Sequence, residues 1–419
     1  MHVYKFGGAS VKDANAIENV ASIVKTYSPT VVVVSAMGKT TNALEAVVNA
    51  GFYKEGDAKA LLQKVKLFHN EIMLQLFAPE DEVFTTVNNF WVEIEWALEE
   101  EARSYAFLYD QIVSIGELVA TTIIAAFLNL QGIKTKWIDA RSFIQTDNNY
   151  RQAQILWPQT IAQVQHNLLP VAQQQTVVLT QGFIGGTSEN YTTTLGREGS
   201  DYTAAIIAYC IDAQAVTIWK DVPGVLNADP KFFTDAQKLE QISYHDAIEL
   251  TYYGATVIHP KTIKPLENKG IPLYVKSFVK PESSGTVIGK DLQTKPFIPS
   301  YIFKNNQVLI SIGSKDFSFI AEAGLSHLFG LFAQAGVKIN LMQNSAISFS
   351  VCVDDDVFVL PQLIETIKKD YRVRFNNGLV LYTIRHYNQF TIDKLLQKGT
   401  TIVEQRSRNT AQFVLQPND

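Results

Sequence analysis

The sequence is poor in the residues that staple, chelate or relay protons. Only 2 of its 419 residues are cysteine, Cys210 and Cys352. Their number and spacing support neither a disulfide framework nor a metal or redox motif, and a reducing compartment is expected. The 7 histidines are scattered. His245 and His259 have no partner at ligand spacing and His327 falls on a helix, so structural roles are expected and no resident metal site. The start, MHVYKFGG, lacks the charged opening and apolar run of a secretion signal. No apolar run reaches the roughly 18–20 residues that span a bilayer; the longest candidate, around residues 206–211, is short. Charged residues make up 18% and the net charge is −5, which argues against a broad nucleic-acid surface while leaving room for a local basic pocket. Asp354-Asp355-Asp356 lacks the spaced ligands and glycine of a calcium loop and reads as a solvated turn; Glu99-Glu100-Glu101 reads as a solvated helix face. A soluble, cytoplasmic protein with no membrane or nucleic-acid partner is expected.

What is present is a repeated alternation of strand and helix. His2–Phe6 reads as a short strand ending in Gly7-Gly8, and Ile17, Val20, Ala21 and Val24 mark an amphipathic helix. The β-branched run 30–34 reads as a strand buried on both faces, as in a parallel sheet. The same grammar returns at 176–180, 216–219 and 273–275, which indicates an α/β sheet covered by helices. Residues 42–130 are almost wholly helical, with one stripe at Leu61, Val65, Phe68 and Ile72 and another at Phe90, Ile94 and Leu98; they read as an insertion or lid. Stretches rich in Pro, Ser and Gly at 280–285 and 295–299 read as a linker. Beyond them strands and helices alternate again. The pattern 308–312, 325–335, 338–342, 347–353 and 361–369 reads as a βαββαβ-like unit, with a shorter echo at 379–384, 392–396, 401–404 and 412–415 that reads as lacking a closing helix.

Four segments sit where a strand ends and a helix or loop begins, the place where ligands bind in open α/β sheets. Lys5-Phe6-Gly7-Gly8-Ala9-Ser10 offers a cation and open backbone N–H groups to phosphate oxygens; taken alone it is equally a glycine turn. Ser35-Ala36-Met37-Gly38-Lys39-Thr40-Thr41-Asn42 is no P-loop, because the position five before Gly38 is Val33; it remains a polar loop able to hold a small anion. Ser114-Ile115-Gly116-Glu117 opens a long helix, where a glutamate is ordinarily a surface residue favoured by the helix dipole. Thr192-Thr193-Thr194-Leu195-Gly196-Arg197-Glu198-Gly199-Ser200-Asp201 precedes a helix that Ser200 or Asp201 can cap. A cap does not require Arg197, whose planar fork suits a carboxylate or phosphate. Trp219-Lys220-Asp221-Val222-Pro223-Gly224 is a further strand-to-loop transition, well placed to border a nucleotide.

Together, in this order and spacing, KFGGAS, SAMGKTTN, SIGE, TTLGREGSD and WKDVPG resemble the motifs of the aspartate kinases of the amino-acid kinase family. The similarity continues through Tyr253-Gly254-Ala255 and Val257-Ile258-His259-Pro260, and the later region resembles the ACT-type regulatory modules of the same enzymes. The resemblance implies an α/β three-layer sandwich of the carbamate kinase-like type over residues 1–290, with the helical insertion at about 42–130. It implies α+β ferredoxin-like ACT modules over 300–419, the second shortened. It also implies an ATP-dependent phosphotransferase that makes L-4-aspartyl phosphate from L-aspartate, at the head of lysine, threonine and methionine synthesis, with Mg2+ travelling with the nucleotide. By the same resemblance Lys5 and Asp201 are catalytic, and Lys5, Gly7, Gly8, Ser35, Lys220, Asp221, Leu226, Lys231 and Thr256 face ATP. Thr41, Glu117, Arg197 and Ser200 hold the amino-acid substrate. A homo-oligomer, a dimer through the ACT modules, and an amino-acid effector at those modules are further expectations.

The match has departures. Ala9 stands where relatives carry threonine, Glu198 where they carry glycine, Leu226 for tyrosine, Lys231 for arginine and Thr256 for lysine; these bear on nucleotide contacts. Asn340 and Ala346 are neutral where lysine-sensitive relatives place acids, which would weaken a cationic effector. Another amino-acid kinase, such as a glutamate 5-kinase, and a non-catalytic amino-acid sensor remain the rival readings.

Overall fold

The computed structural model describes residues 1–174, 176–233, 235–255, 258–292, 297–316 and 318–418. They form two compact units. One comprises residues 1–225, 238–248 and 257–294, and the other 226–237, 249–256 and 295–419.

The first unit is built on strands β1 (His2–Phe6), β2 (Val31–Val34), β3 (Thr135–Trp137), β4 (Val177–Gln181), a hairpin of β5 (Ile184–Gly186) and β6 (Thr192–Thr194), then β7 (Ala215–Lys220), β8 (Gln241–Ser243), β9 (Leu273–Ser277) and β10 (Thr286–Gly289). Eight of these make one sheet in the order β3-β4-β2-β1-β7-β9-β10-β8. Every neighbouring pair is parallel except β9 with β10. The four valines of β2 are all fully buried, as a strand must be when helices cover both faces of a parallel sheet.

Helix α1 (Ala14–Tyr27) joins β1 to β2, and α2 (Thr40–Tyr53), α3 (Ala58–Leu76), α4 (Glu82–Glu99), α5 (Tyr105–Val113) and α6 (Ile115–Leu130) follow β2. Next come α7 (Trp157–Gln163), α8 (Leu169–Ala172), α9 (Gly199–Cys210), α10 (Tyr244–Tyr253) and α11 (Pro260–Lys269). Helix α6 packs on β2, β3 and β4, and α9 on β1, β2 and β7.

Two expectations need correction here. The inward stripe of α3 is Leu62, Val65, His69, Ile72 and Met73, while Phe68 is exposed. The face turns by one residue because His69 packs edge-on against Phe68, meets Trp91, and takes the core position. The most apolar stretch is Tyr105–Leu130, not residues 206–211. It is long enough to cross a membrane and holds an 18-residue window of mean hydropathy 1.8, but 83% of that window is buried inside the fold. It breaks into α5 and α6 at Ser114 and carries Asp110 and Glu117, polar breaks that disguise it as two ordinary segments.

The second unit has strands β11 (Ser300–Ser314), β12 (Ile339–Asn344), β13 (Ser348–Asp354), β14 (Tyr371–Arg385), β15 (Gly399–Arg406) and β16 (Thr410–Pro417), with helices α12 (Glu322–Gln334), α13 (Leu360–Lys368) and α14 (Gln389–Leu396). Its sheet runs β12-β13-β11-β14-β16-β15, antiparallel throughout. The two 15-residue strands β11 and β14 pair with register shifts between Lys304 and Leu309, so each strand serves two modules. Their second and first halves, respectively, complete a βαββαβ module with α12, β12, β13 and α13, over a core that includes Ile310, Phe332, Val351 and Ile367. The other module has β14, α14, β15 and β16 and takes its fourth strand from residues 300–304, which precede the first module in the chain. Asn388 and Thr391 form a reciprocal cap at the start of α14, which gives this short helix a firm beginning.

In the first unit Trp219, 1% exposed, stacks on Phe6 at 6.0 Å and meets Tyr4 at 5.6 Å and Tyr27 at 5.9 Å. It therefore belongs to the core and fastens β1 to β7. Trp219→Ala is expected to lower the unfolding free energy by about 3–5 kcal/mol, with Trp219→Phe costing clearly less, as read from denaturant midpoints.

Candidate active site

Two strand ends meet one helix start. Lys5 lies on β1, and its side chain is only 9% exposed. Its Nζ stands 2.6 Å from Oδ1 of Asp201, in the first turn of α9 and fully buried. The other carboxylate oxygen of Asp201 is 3.4 Å from Nζ of Lys220, at the end of β7. Burial works to raise the Asp201 pKa, but the Lys5 and Lys220 charges outweigh it and hold the carboxyl below the ordinary range. Both amines are thus aimed by one buried acid.

The helix start differs from expectation. Neither Ser200 nor Asp201 caps α9; both already lie within it, and the N-cap residue is Glu198, in a left-handed conformation with φ 56° and no side-chain cap. Asp201 is released from capping because its oxygens are taken by the two lysines.

Lys5, Ser35, Thr41, Glu117, Arg197 and Ser200 line a single cleft of about 790 Å3, within the size range of small-molecule sites. Gly8 brings the loop after β1 against the 36–38 loop: a Cβ there would lie 2.8 Å from the Gly38 carbonyl oxygen and 2.9 Å from that of Ala36. Gly116 does the same for α6, since its added Cβ would meet Thr40, Ala36 and Leu44 at 3.1–3.3 Å. That close approach lets the Ala36 N–H donate to Oε1 of Glu117 at 3.4 Å.

Glu117 is not a surface residue. It is 2% exposed, and its second oxygen has no hydrogen-bond partner among the described residues. Burial pushes its pKa up to about 8, although the Ala36 N–H and the Lys5 charge pull the other way. A buried carboxylate left half-satisfied is a receptor for a cation or hydrogen-bond donor. Arg197 is exposed at the rim and makes no ion pair among the described residues. The cleft thus offers one open guanidinium, one restrained amine and one buried acid.

Of the remaining expected residues, Gly7 follows β1 beside Lys5, with room for a Cβ 3.5 Å from Nζ. Asp221 sits exposed on the turn after β7 and is not among the residues lining the cleft. Leu226 and Lys231 belong to the second unit, Leu226 half-buried and Lys231 exposed. Thr256 lies outside the described residues.

The structure also adds residues that sequence reasoning passed over. Asp110 is fully buried on α5. It accepts from the Thr194 N–H (2.9 Å), the Thr194 hydroxyl (2.7 Å) and the Arg151 N–H (2.9 Å). Burial raises it to about 6 against the pull of these donors. It ties the strand that leads into the arginine loop to Arg151, which lines the cleft with φ 69° and stacks on Tyr109 at 4.4 Å. The one available signal was an acid inside an otherwise apolar helical run. His69, buried and lowered to about 4 by burial, lies 3.3 Å from the Thr40 hydroxyl at the head of α2.

Comparison with known proteins gives this arrangement a family. The amino acid kinase family matches over residues 1–277. Over 395 residues the chain is 30% identical to the lysine-sensitive aspartokinase 3 of Escherichia coli (strain K12), spanning 91% of this chain and 86% of that one. The chain belongs to the aspartokinases of the amino acid kinase family. An aspartokinase of Chlamydia pneumoniae is likewise 30% identical, over 91% of this chain and 84% of its own. Among solved structures, E. coli aspartokinase III in complex with aspartate and ADP superposes with a TM-score of 0.83 at 27% identity, covering 99% of this chain and 96% of that one. The same enzyme in complex with lysine and aspartate gives 0.84 over 100% and 96%. The expected fold class, an amino-acid kinase α/β domain followed by α+β ACT modules, is therefore that of this aspartokinase.

Asp201→Asn would leave two amines facing a neutral amide in a buried position. A loss of about 3 kcal/mol is expected in this aspartokinase at pH 7. The sign with pH follows from the lowered carboxyl: the pair stabilises above the ordinary aspartate pKa near 3.9 and the contribution disappears as pH falls through the lower folded value. Stability–pH curves of wild type and variant are expected to converge at acid pH; parallel curves would contradict the pairing.

Proposed function

We propose that the chain is an aspartate kinase, transferring the γ-phosphoryl group of ATP to the side-chain carboxylate of L-aspartate. The product is L-4-aspartyl phosphate, the first intermediate of the aspartate-derived route to lysine, threonine and methionine. The observation that carries this reading is the meeting of Lys5, aimed by Asp201, with Arg197 and Glu117 in one cleft. Relatives and solved structures that bear the aspartokinase name over nearly the whole chain support it.

The chemistry needs no general base. An aspartate side chain has an ordinary pKa near 3.9 and is already ionised at pH 7. The obstacle is repulsion between that anion and a polyphosphate, so the work is positioning and charge stabilisation. Lys5 is the group that neutralises the transferring phosphoryl oxygens, with Lys220 beside it and the backbone at Gly7 and Gly8 as donors. Asp201 orients the amines and takes no proton. Arg197 receives a substrate carboxylate, Glu117 the ammonium group, and Thr41 and Ser200 close the pocket. Ser35, Asp221, Leu226, Lys231 and Thr256 are the remaining proposed nucleotide neighbours. Mg2+ enters with the nucleotide as part of the substrate; among the described residues no group of three metal-type ligands is gathered.

The C-terminal modules are proposed to hold a dimer contact and an amino-acid effector, in a cytoplasmic enzyme. In that region Asn340 is already engaged, accepting from Lys304 at 2.8 Å and donating to Gln307 and Asp354 at 2.9 Å. Lysine sensitivity would therefore require this network to open.

Release of ADP with L-aspartate, L-glutamate and N-acetylglutamate tests the substrate, and faster turnover with either of the latter two would defeat the assignment. Glu117 supplies a second test. With its pKa raised by burial to about 8, the acid must lose a proton before an ammonium can pair with it. The KM for aspartate is therefore expected to rise by up to about tenfold per unit as pH falls below 8. Glu117→Gln should raise KM at pH 8 and flatten that slope; an unchanged slope in the variant would assign it elsewhere.

A further inference from the structure

Glu198 is an unusual residue for its backbone. At φ 56° and ψ 25° it occupies the left-handed region, which glycine enters freely and a glutamate does not. It stands at the N-cap position of α9, yet its carboxylate makes no capping bond. Instead Oε2 lies 3.8 Å from Nζ of Lys220, the amine that the Asp201 carboxylate also meets. It also lines the cleft with Lys5 and Arg197. The charged groups facing it are therefore Lys220 from β7, Lys5 from β1 and Asp201 from its own helix.

Charge counting within this cluster is direct. Lys5 and Lys220 carry two positive charges and Asp201 one negative. With Glu198 ionised the cluster is neutral; without it the cluster keeps one net positive charge for an arriving anion. Lys220 already has one carboxylate at 3.4 Å from Asp201, so Glu198 is not needed to place it. A side chain that adopts a strained backbone to reach an already paired amine acts on the charge available there.

We infer that Glu198 is a built-in counter-ion that competes with nucleotide phosphate oxygens for Lys220 and so weakens nucleotide binding. Glu198 is a positioning residue in this account, acting through Lys220 and not through contact with the reacting atoms. When phosphate oxygens approach Lys220, the Glu198 carboxylate yields its place and swings toward solvent, for which its partly exposed side chain has room. The inference deepens the kinase reading, since it takes the cleft to be the nucleotide site.

Calorimetric titration of the full chain with MgADP, in the absence of any amino acid, tests it. Glu198→Gln keeps the shape and removes the charge; Glu198→Gly removes the side chain and relaxes the backbone. Both are expected to bind MgADP roughly five- to tenfold more tightly than wild type, the size expected from one partly screened charge near a phosphate. Lys220→Met is expected to weaken binding, and adding Glu198→Gln to it should give no gain. Unchanged or weaker binding in Glu198→Gln, with a wild-type melting temperature, would overturn the inference. So would a gain of the same size in the Lys220→Met background. The two readings separate cleanly: tighter MgADP binding in a chain that never turns over aspartate would defeat the kinase assignment alone. Turnover of aspartate without the tightening would defeat this inference alone.

Discussion

The bond between Lys5 and Asp201 is the constraint from which the rest of the site follows. An amine kept almost out of water needs a partner, or its charge is lost. Asp201 meets that need only because α9 begins at Gly199 and presents its first turn to the ends of β1 and β7. The same acid holds Lys220, so two cations from two neighbouring strands are aimed by a single carboxylate. The stacking of Trp219 on Phe6 fixes the spacing of those strands one residue away from each lysine. Core packing and charge placement are thus the same piece of structure.

Three buried acids in the first unit show how far satisfaction of a carboxylate sets its behaviour. Asp201 is paired with lysines and held low. Asp110 has three neutral donors and sits at about 6. Glu117 has one long hydrogen bond and sits at about 8. The first aims the two lysine amines, the second staples the strand before the arginine loop, and the third is left wanting a ligand. Desolvation is common to all three; what differs is the company each side chain keeps.

Much of the architecture was legible because its signals are local. The valine run of β2, the glycine pair after β1 and the motif carrying Arg197 and Asp201 each announce a strand end without reference to distant residues. Glu117 was legible as a candidate, but its burial was not, since that depends on α6 lying against the 36–44 loop across Gly116. Asp110, Arg151 and His69 stayed hidden for the same reason: their partners Thr194, Tyr109 and Thr40 come together only in three dimensions. The cap of α9 misled because serine and aspartate near a helix start usually serve the backbone, whereas here Asp201 serves two side chains. The shared strands β11 and β14 were invisible as such, because a register shift inside a long strand leaves no mark on periodicity.

The claim at the centre is that a restrained lysine and an open arginine in one cleft bring a carboxylate and a phosphoryl group together as an acyl phosphate. Trapping with hydroxylamine tests this most directly, because it converts an acyl phosphate into a stable hydroxamate. The account predicts the side-chain hydroxamate of aspartate in one-to-one yield with ADP from the wild-type chain, and neither product from Lys5→Met. ADP formed without hydroxamate, or hydroxamate persisting in Lys5→Met, would contradict it.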